Sequence, residues 1–169
     1  MSHTMSALGA FHTVLSLIPV GAGLVAFQRY GKINPGTGVG KVYWIGMGAS
    51  VLTAFGLSST GGFNPGHVLG LITLTVMLIA TLAPRIAFLG RAAGYLQVAL
   101  MSFSFMLLMI PGTNETLSRL PVGHPIGNGP ESAPVQMALA GVFALFLLGT
   151  GYQLMQLRRQ RLAARVVQG

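Results

Sequence analysis

The sequence contains no cysteine and no aspartate, and its only acidic residues are Glu115 and Glu131. Without cysteine there can be no disulfide, thiolate metal site, iron–sulfur cluster or cysteine nucleophile. No acid lies within a long apolar run, so no paired-carboxylate arrangement can be assembled within the spans, and the carboxylate proton relays of membrane pumps are not expected. Charge of either sign is rare. Only 7% of the 169 residues are charged, against roughly 25% in a soluble domain. A chain that is 52% hydrophobic, with mean hydropathy +0.69, cannot cover its surface with charge. Most of that surface must face lipid or partner protein. No basic segment precedes the first apolar run, so that run is expected to be a span rather than a cleaved signal peptide.

What is present in quantity is long apolar segments. A bilayer core takes about 20 apolar residues per helix, and five segments qualify: roughly 7–27, 41–59, 65–83, 92–111 and 134–156. The runs are continuous rather than alternating, so helices and not barrel strands are expected. The reading is an all-α polytopic membrane protein with five helices in one bundle over residues 1–157 and a basic tail over 158–169. Boundary residues agree. Asn64 can cap the third helix with Pro65 in its first position. Pro84 disfavours helix at Ala83, Ile110–Gly112 ("IPG") reads as the end of the fourth helix, and Ser132–Pro134 opens the fifth. Pro19 should bend the first helix near Leu15.

The net charge of +8 would suit nucleic acid, but the positions argue for topology instead. Arg29, Lys32 and Lys41 lie in the first loop, Arg85 and Arg91 in the third, and Arg158, Arg159, Arg161 and Arg165 in the tail. Nine of the ten basic residues thus fall on one side, and only Arg119 falls on the other. By the positive-inside rule the N-terminus is outside and the C-terminus inside. Tyr30, Tyr43, Trp44, Tyr95 and Tyr152 share the inner side, as interfacial anchors would.

All four histidines take the opposite side: His3, His12, His67 and His124. His12 belongs to a small and polar stripe, Gly9, His12, Ser16, Pro19 and Gly23, at helical spacing. Such a stripe reads in two ways. The imidazole is either a hydrogen-bonded packing element between helices or an intramembrane ligand-binding group. His67 falls in the first turn of its helix, where the partial positive charge favours a neutral ring able to ligate haem iron or copper. The plainer reading is an interfacial residue beside a capped helix start. In "MSHTM", Met1, His3 and Met5 offer thioethers and imidazole, a set that suits copper. Met101, Phe105 and Met109 share a face of the fourth helix and read as core.

Other features carry less. "GTGVGK" at 36–41 resembles a phosphate loop, but Pro35 stands where the first glycine belongs and Val42 where Ser or Thr is required. It reads as a flexible glycine-rich loop. Gln97, Gln136 and Gln153 are the remaining strongly polar groups near the spans. "NET" at Asn114 is a glycosylation sequon if the protein is eukaryotic.

His12, the glycines Gly21 and Gly23, "RYGK" at Arg29–Lys32 and "GKVYW" at Gly40–Trp44 together resemble a family of small bacterial inner-membrane proteins of unknown function, over roughly residues 8–110. The resemblance implies a four- or five-helix bundle and no known activity. The family's second histidine corresponds to Gly36 here, so a two-histidine site would need His67 in its place.

Three functions are compatible with these readings. The first is a non-catalytic accessory or structural component of a larger membrane assembly, with membrane subunits or further copies of itself as partners. Small residues such as Gly46, Ser50 and Ala54 in the second helix, and Ala140 and Ala144 in the fifth, would allow close helix contacts. The second is a b-haem or copper redox protein using His12 and His67. The third is a carrier or channel for a neutral solute. No catalytic constellation can be assembled.

Overall fold

A computed structural model describes residues 7–57 and 62–166, apart from the Arg165 side chain. Five α-helices occur among the described residues: α1 Ala7–Tyr30, α2 Gly38–Ala54, α3 Pro65–Leu82, α4 Ala92–Arg119 and α5 Ala133–Val166. Two 3-10 turns, Ala83–Arg85 and Ala87–Leu89, join α3 to α4. There is no strand among the described residues. Four helices are long and apolar enough to cross a membrane: α1, α3, α4 and α5. α2 has 17 residues, or about 25 Å at 1.5 Å per residue, and is the short member.

α1 packs on α2, α2 on α3, α3 on α4, and α1 also touches α4. The first four helices therefore close a ring, and α5 leans on α4 from outside it. The ring's core holds Ala22, Ala26, Tyr43, Met47, Met77 and Met101, all buried. Small residues set its spacing. A Cβ on Gly46 would come within 3.0 Å of Pro19 Cδ and 3.1 Å of Ile18 Cγ2, so α1 and α2 meet where only glycine fits. Phe27 and Phe105 close the α1–α4 contact edge to face, at 5.1 Å.

Local chemistry explains the helix starts. Asn64 Oδ1 accepts the His67 N–H at 3.1 Å, with Pro65 at the first helical position, as the sequence implies. α3 ends at Leu82, before Pro84, and tightens into the 3-10 turn. The "GTGVGK" segment is not a flexible loop. Thr37 Oγ1 accepts the Gly40 N–H at 3.0 Å and caps α2, which begins at Gly38 rather than 41. Gly40 is buried against the Asn34 carbonyl with no room for a Cβ.

Three further expectations from the sequence need correction. α4 does not end at Ile110–Gly112 but runs through Pro111 to Arg119. Proline removes one helical hydrogen bond, and the turns beyond it are held by the following loop. Gly127 N–H donates to the Leu117 carbonyl at 2.9 Å, and Gly129 N–H to Ser118 Oγ at 3.0 Å. α5 does not stop at 156 but continues to Val166. Its basic stretch is rich in strong helix formers and offers no stop signal. Tyr43 is not an interfacial anchor. It has no exposed surface, and its hydroxyl donates to Ser104 Oγ at 2.8 Å, while Ser104 donates to the Met101 carbonyl at 2.7 Å.

The basic residues gather at one end of the bundle. There Trp44 Nε1 donates to Thr81 Oγ1 at 3.2 Å, tying the start of α2 to the end of α3. Gln97 Nε2 donates to the Ala80 carbonyl at 3.2 Å, and Arg161 Nη1 to the Arg91 carbonyl at 2.6 Å. The Arg161 guanidinium also lies 4.7 Å from the Tyr95 ring centre, a cation–π contact. At the other end Arg119 pairs with Glu115 at 2.5 Å, so the one basic residue that breaks the pattern sits beside an acid.

Candidate functional site: the histidine seam and the groove beside α5

His12 lies in a polar cluster between α1 and α2. Its Nδ1 is 2.9 Å from Thr53 Oγ1, and the Thr53 hydroxyl already donates to the carbonyls of Ala49 and Ser50 at 3.0 and 2.9 Å. The imidazole must therefore carry its proton on Nδ1 and donate it. Ser16 Oγ donates to the His12 carbonyl at 2.8 Å, and Ser50 Oγ is 2.6 Å from Ser16 Oγ, so Ser50 donates across the seam. His12 Nε2 is left 3.4 Å from a Ser16 hydroxyl whose proton is committed. That ring nitrogen has no close donor in the cluster. The stripe Gly9–Gly23 is thus a packing seam, with a single nitrogen still able to take a ligand.

His67 is fully engaged. Its Nδ1 accepts the Asn64 N–H at 3.3 Å, completing a reciprocal cap, and its Nε2–H donates to the Ala54 carbonyl at 3.2 Å. That carbonyl, at the end of α2, also accepts the Leu57 N–H at 2.9 Å. The ring stacks on Phe55 at 4.7 Å and lies 5.5 Å from Phe63. The side chain is 5% exposed and splices the start of α3 to the end of α2.

The two histidines reach the same end of α2. They reach it differently, one through the Thr53 side chain and the other through the Ala54 carbonyl. To ligate haem or copper, His67 would have to give up its bond to the Asn64 N–H, and if it ligated through Nε2 its bond to α2 as well. No group of three His, Cys, Asp or Glu side chains that could hold a metal occurs among the described residues. Met1, His3 and Met5 lie outside the described residues. His124 is exposed in the loop between α4 and α5.

A second site was not legible in the sequence. Between α1 and α5, with α4 as its floor, lies a groove of about 510 Å³. Its walls are apolar, including Leu24, Phe27, Phe105, Met109 and Phe146. Four polar side chains line it: Ser102, Thr150, Tyr152 and Gln153. Ser102 Oγ donates to Gln153 Oε1 at 2.6 Å, and Thr150 Oγ1 is buried with no hydrogen-bond partner. Six other helical threonines (13, 53, 73, 75, 81 and 116) return the hydroxyl to the carbonyl one turn back. Thr150 does not.

No family model matches the chain, and no curated protein or solved structure is similar to it. Function has to be argued from the geometry.

Proposed function

We propose that this protein is an integral membrane protein of the bacterial inner membrane with five crossings, N-terminus outside and C-terminus inside. Its role is that of a non-catalytic accessory or structural component of a larger membrane assembly. The observation that carries this reading is the state of α5. This helix has 34 residues, and among the described residues it buries only Val135. Away from the groove it presents Ala140, Ala144, Leu147, Leu148, Gly151 and Met155, all exposed and repeating at helical spacing. Lipid can cover such a face, but small residues at helical spacing let another helix approach closely enough for dispersion to hold it. The engagement of both His67 nitrogens favours a structural role for that residue over the haem or copper alternative.

The test is photocrosslinking in native membranes from positions 140 and 144, with position 79 on the exposed face of α3 as comparison. Discrete adducts to one partner, or to a second copy, from 140 and 144 alone are expected. Lipid adducts from all three positions, together with a monomer in mild detergent, would overturn the assembly role. Alkaline phosphatase fusions at the basic end test the orientation. Activity there would reverse it.

A further inference from the structure

We propose that the groove between α1, α4 and α5 is a binding site for one anionic phospholipid. An acyl chain lies in the groove, and the ester carbonyl and phosphate lie at its basic end. The inference rests on the membrane placement above and not on the assembly role.

Shape suits a chain. On α5 the groove runs from Val142 to Gln153, three turns or about 16 Å, and it holds about 510 Å³. A hydrocarbon chain fits that length. The walls include Met106 and Met109, whose flexible side chains adapt to a flexible guest.

Polarity selects the head. The buried Thr150 hydroxyl has no partner, and an unsatisfied buried donor costs more than a hydrogen bond returns. Beside it, Gln153 uses only its oxygen, on Ser102. Both side chains offer N–H or O–H donors and call for an acceptor, which an ester carbonyl supplies. Thr150 stands 17 residues from the start of α5, or about 25 Å along it, near the inner boundary of a 30 Å hydrocarbon layer. Ester groups lie at that depth.

Charge selects the anion. The groove ends at Gly31, Tyr152 and Gln153. Lys32 directly follows Gly31. Arg159 continues the α5 row Leu145, Gly149, Tyr152 and Gln156, one turn past the last of these. Gln156 Nε2 donates to Tyr152 Oη at 2.7 Å, which lines up that row toward the same end. Basic pockets between membrane helices on the cytoplasmic side hold anionic head groups.

The experiment is native mass spectrometry of the delipidated full chain offered phosphatidylglycerol or phosphatidylcholine with identical acyl chains. One phosphatidylglycerol per chain should persist under activation that strips phosphatidylcholine, with a preference of about tenfold or more from two cationic side chains. Gly149→Leu should abolish retention, because its Cβ meets nothing within 4 Å and its side chain would fill the groove without disturbing the helices. The double variant Lys32→Gln, Arg159→Gln should bring the two lipids to parity. Thr150→Val should weaken both lipids by the same factor, about threefold to tenfold for one hydrogen bond. Removing Lys41 and Arg85, basic residues of the same end that adjoin neither Gly31 nor the α5 row of the groove, should change nothing. Equal retention of the two lipids by the unaltered chain would overturn the proposal. So would retention that survives Gly149→Leu, loss of preference on removing Lys41 and Arg85, or a dimer that Gly149→Leu dissolves.

Discussion

The contact between α1 and α2 and the contact between α4 and α5 are built on opposite plans. The first is close and polar at its centre. Gly46 sits against Pro19, and four side chains form two hydrogen bonds across it, His12 to Thr53 and Ser50 to Ser16. The second is open. α5 is held near its ends, by Val135 under the Gly127 loop and by Arg161 on the Arg91 carbonyl, and in the middle by the Ser102–Gln153 bond. Between these points a groove remains. The difference shows two ways to attach a helix where hydrophobic burial gives little net drive. A seam of small and hydroxylated residues specifies register. A few polar bonds hold an element while leaving apolar surface for other molecules.

The comparison can be broken most severely at the centre of the ring. Tyr43→Ala removes a fully buried ring and should cost about 3–5 kcal/mol, read as lost resistance to SDS unfolding in bicelles. A loss under 1 kcal/mol would mean that Tyr43 is not a core residue. Gly46→Leu should cost about 1–3 kcal/mol by overpacking α1 against α2, whereas Gly149→Leu on α5 should leave stability within about 0.5 kcal/mol. Equal effects of the two leucines would abolish the distinction between seam and groove. His12→Ala should cost about 1–2 kcal/mol by removing the ring N–H that Thr53 Oγ1 accepts. Ser102→Ala should cost only about 0.6 kcal/mol, an ordinary interhelical hydrogen bond in a membrane. The smallest effect is expected for Ala144→Leu. Stability should stay within about 0.5 kcal/mol, while crosslinking from position 140 to a partner falls away.

The existence and rough limits of the helices were readable because they depend on local properties: apolar runs, the Asn64–Pro65 start and the Pro84 stop. His12 could be singled out because a polar residue in an apolar run must find a partner. That the partner is Thr53 could not be read, since 41 residues separate the two. Thr37 was hidden inside a motif resembling a phosphate loop, although a threonine before a helical run is an N-cap signal. Tyr43 was misplaced because phenols are enriched at membrane interfaces. Only the presence of Ser104, 61 residues away, lets this one be buried. The extension of α4 past Pro111 was equally invisible, because the bonds that sustain it come from the next loop.

By itself the sequence determined that the chain is helical, apolar and basic at one end, because hydropathy, capping and charge are properties of residues and their near neighbours. Tertiary structure alone decided that His67 is a splice, that α5 stands outside the ring, and that a groove with an unpaired hydroxyl lies beneath it. Those outcomes depend on which helices touch, and contact between helices is set by side chains tens of residues apart whose complementarity no local pattern displays.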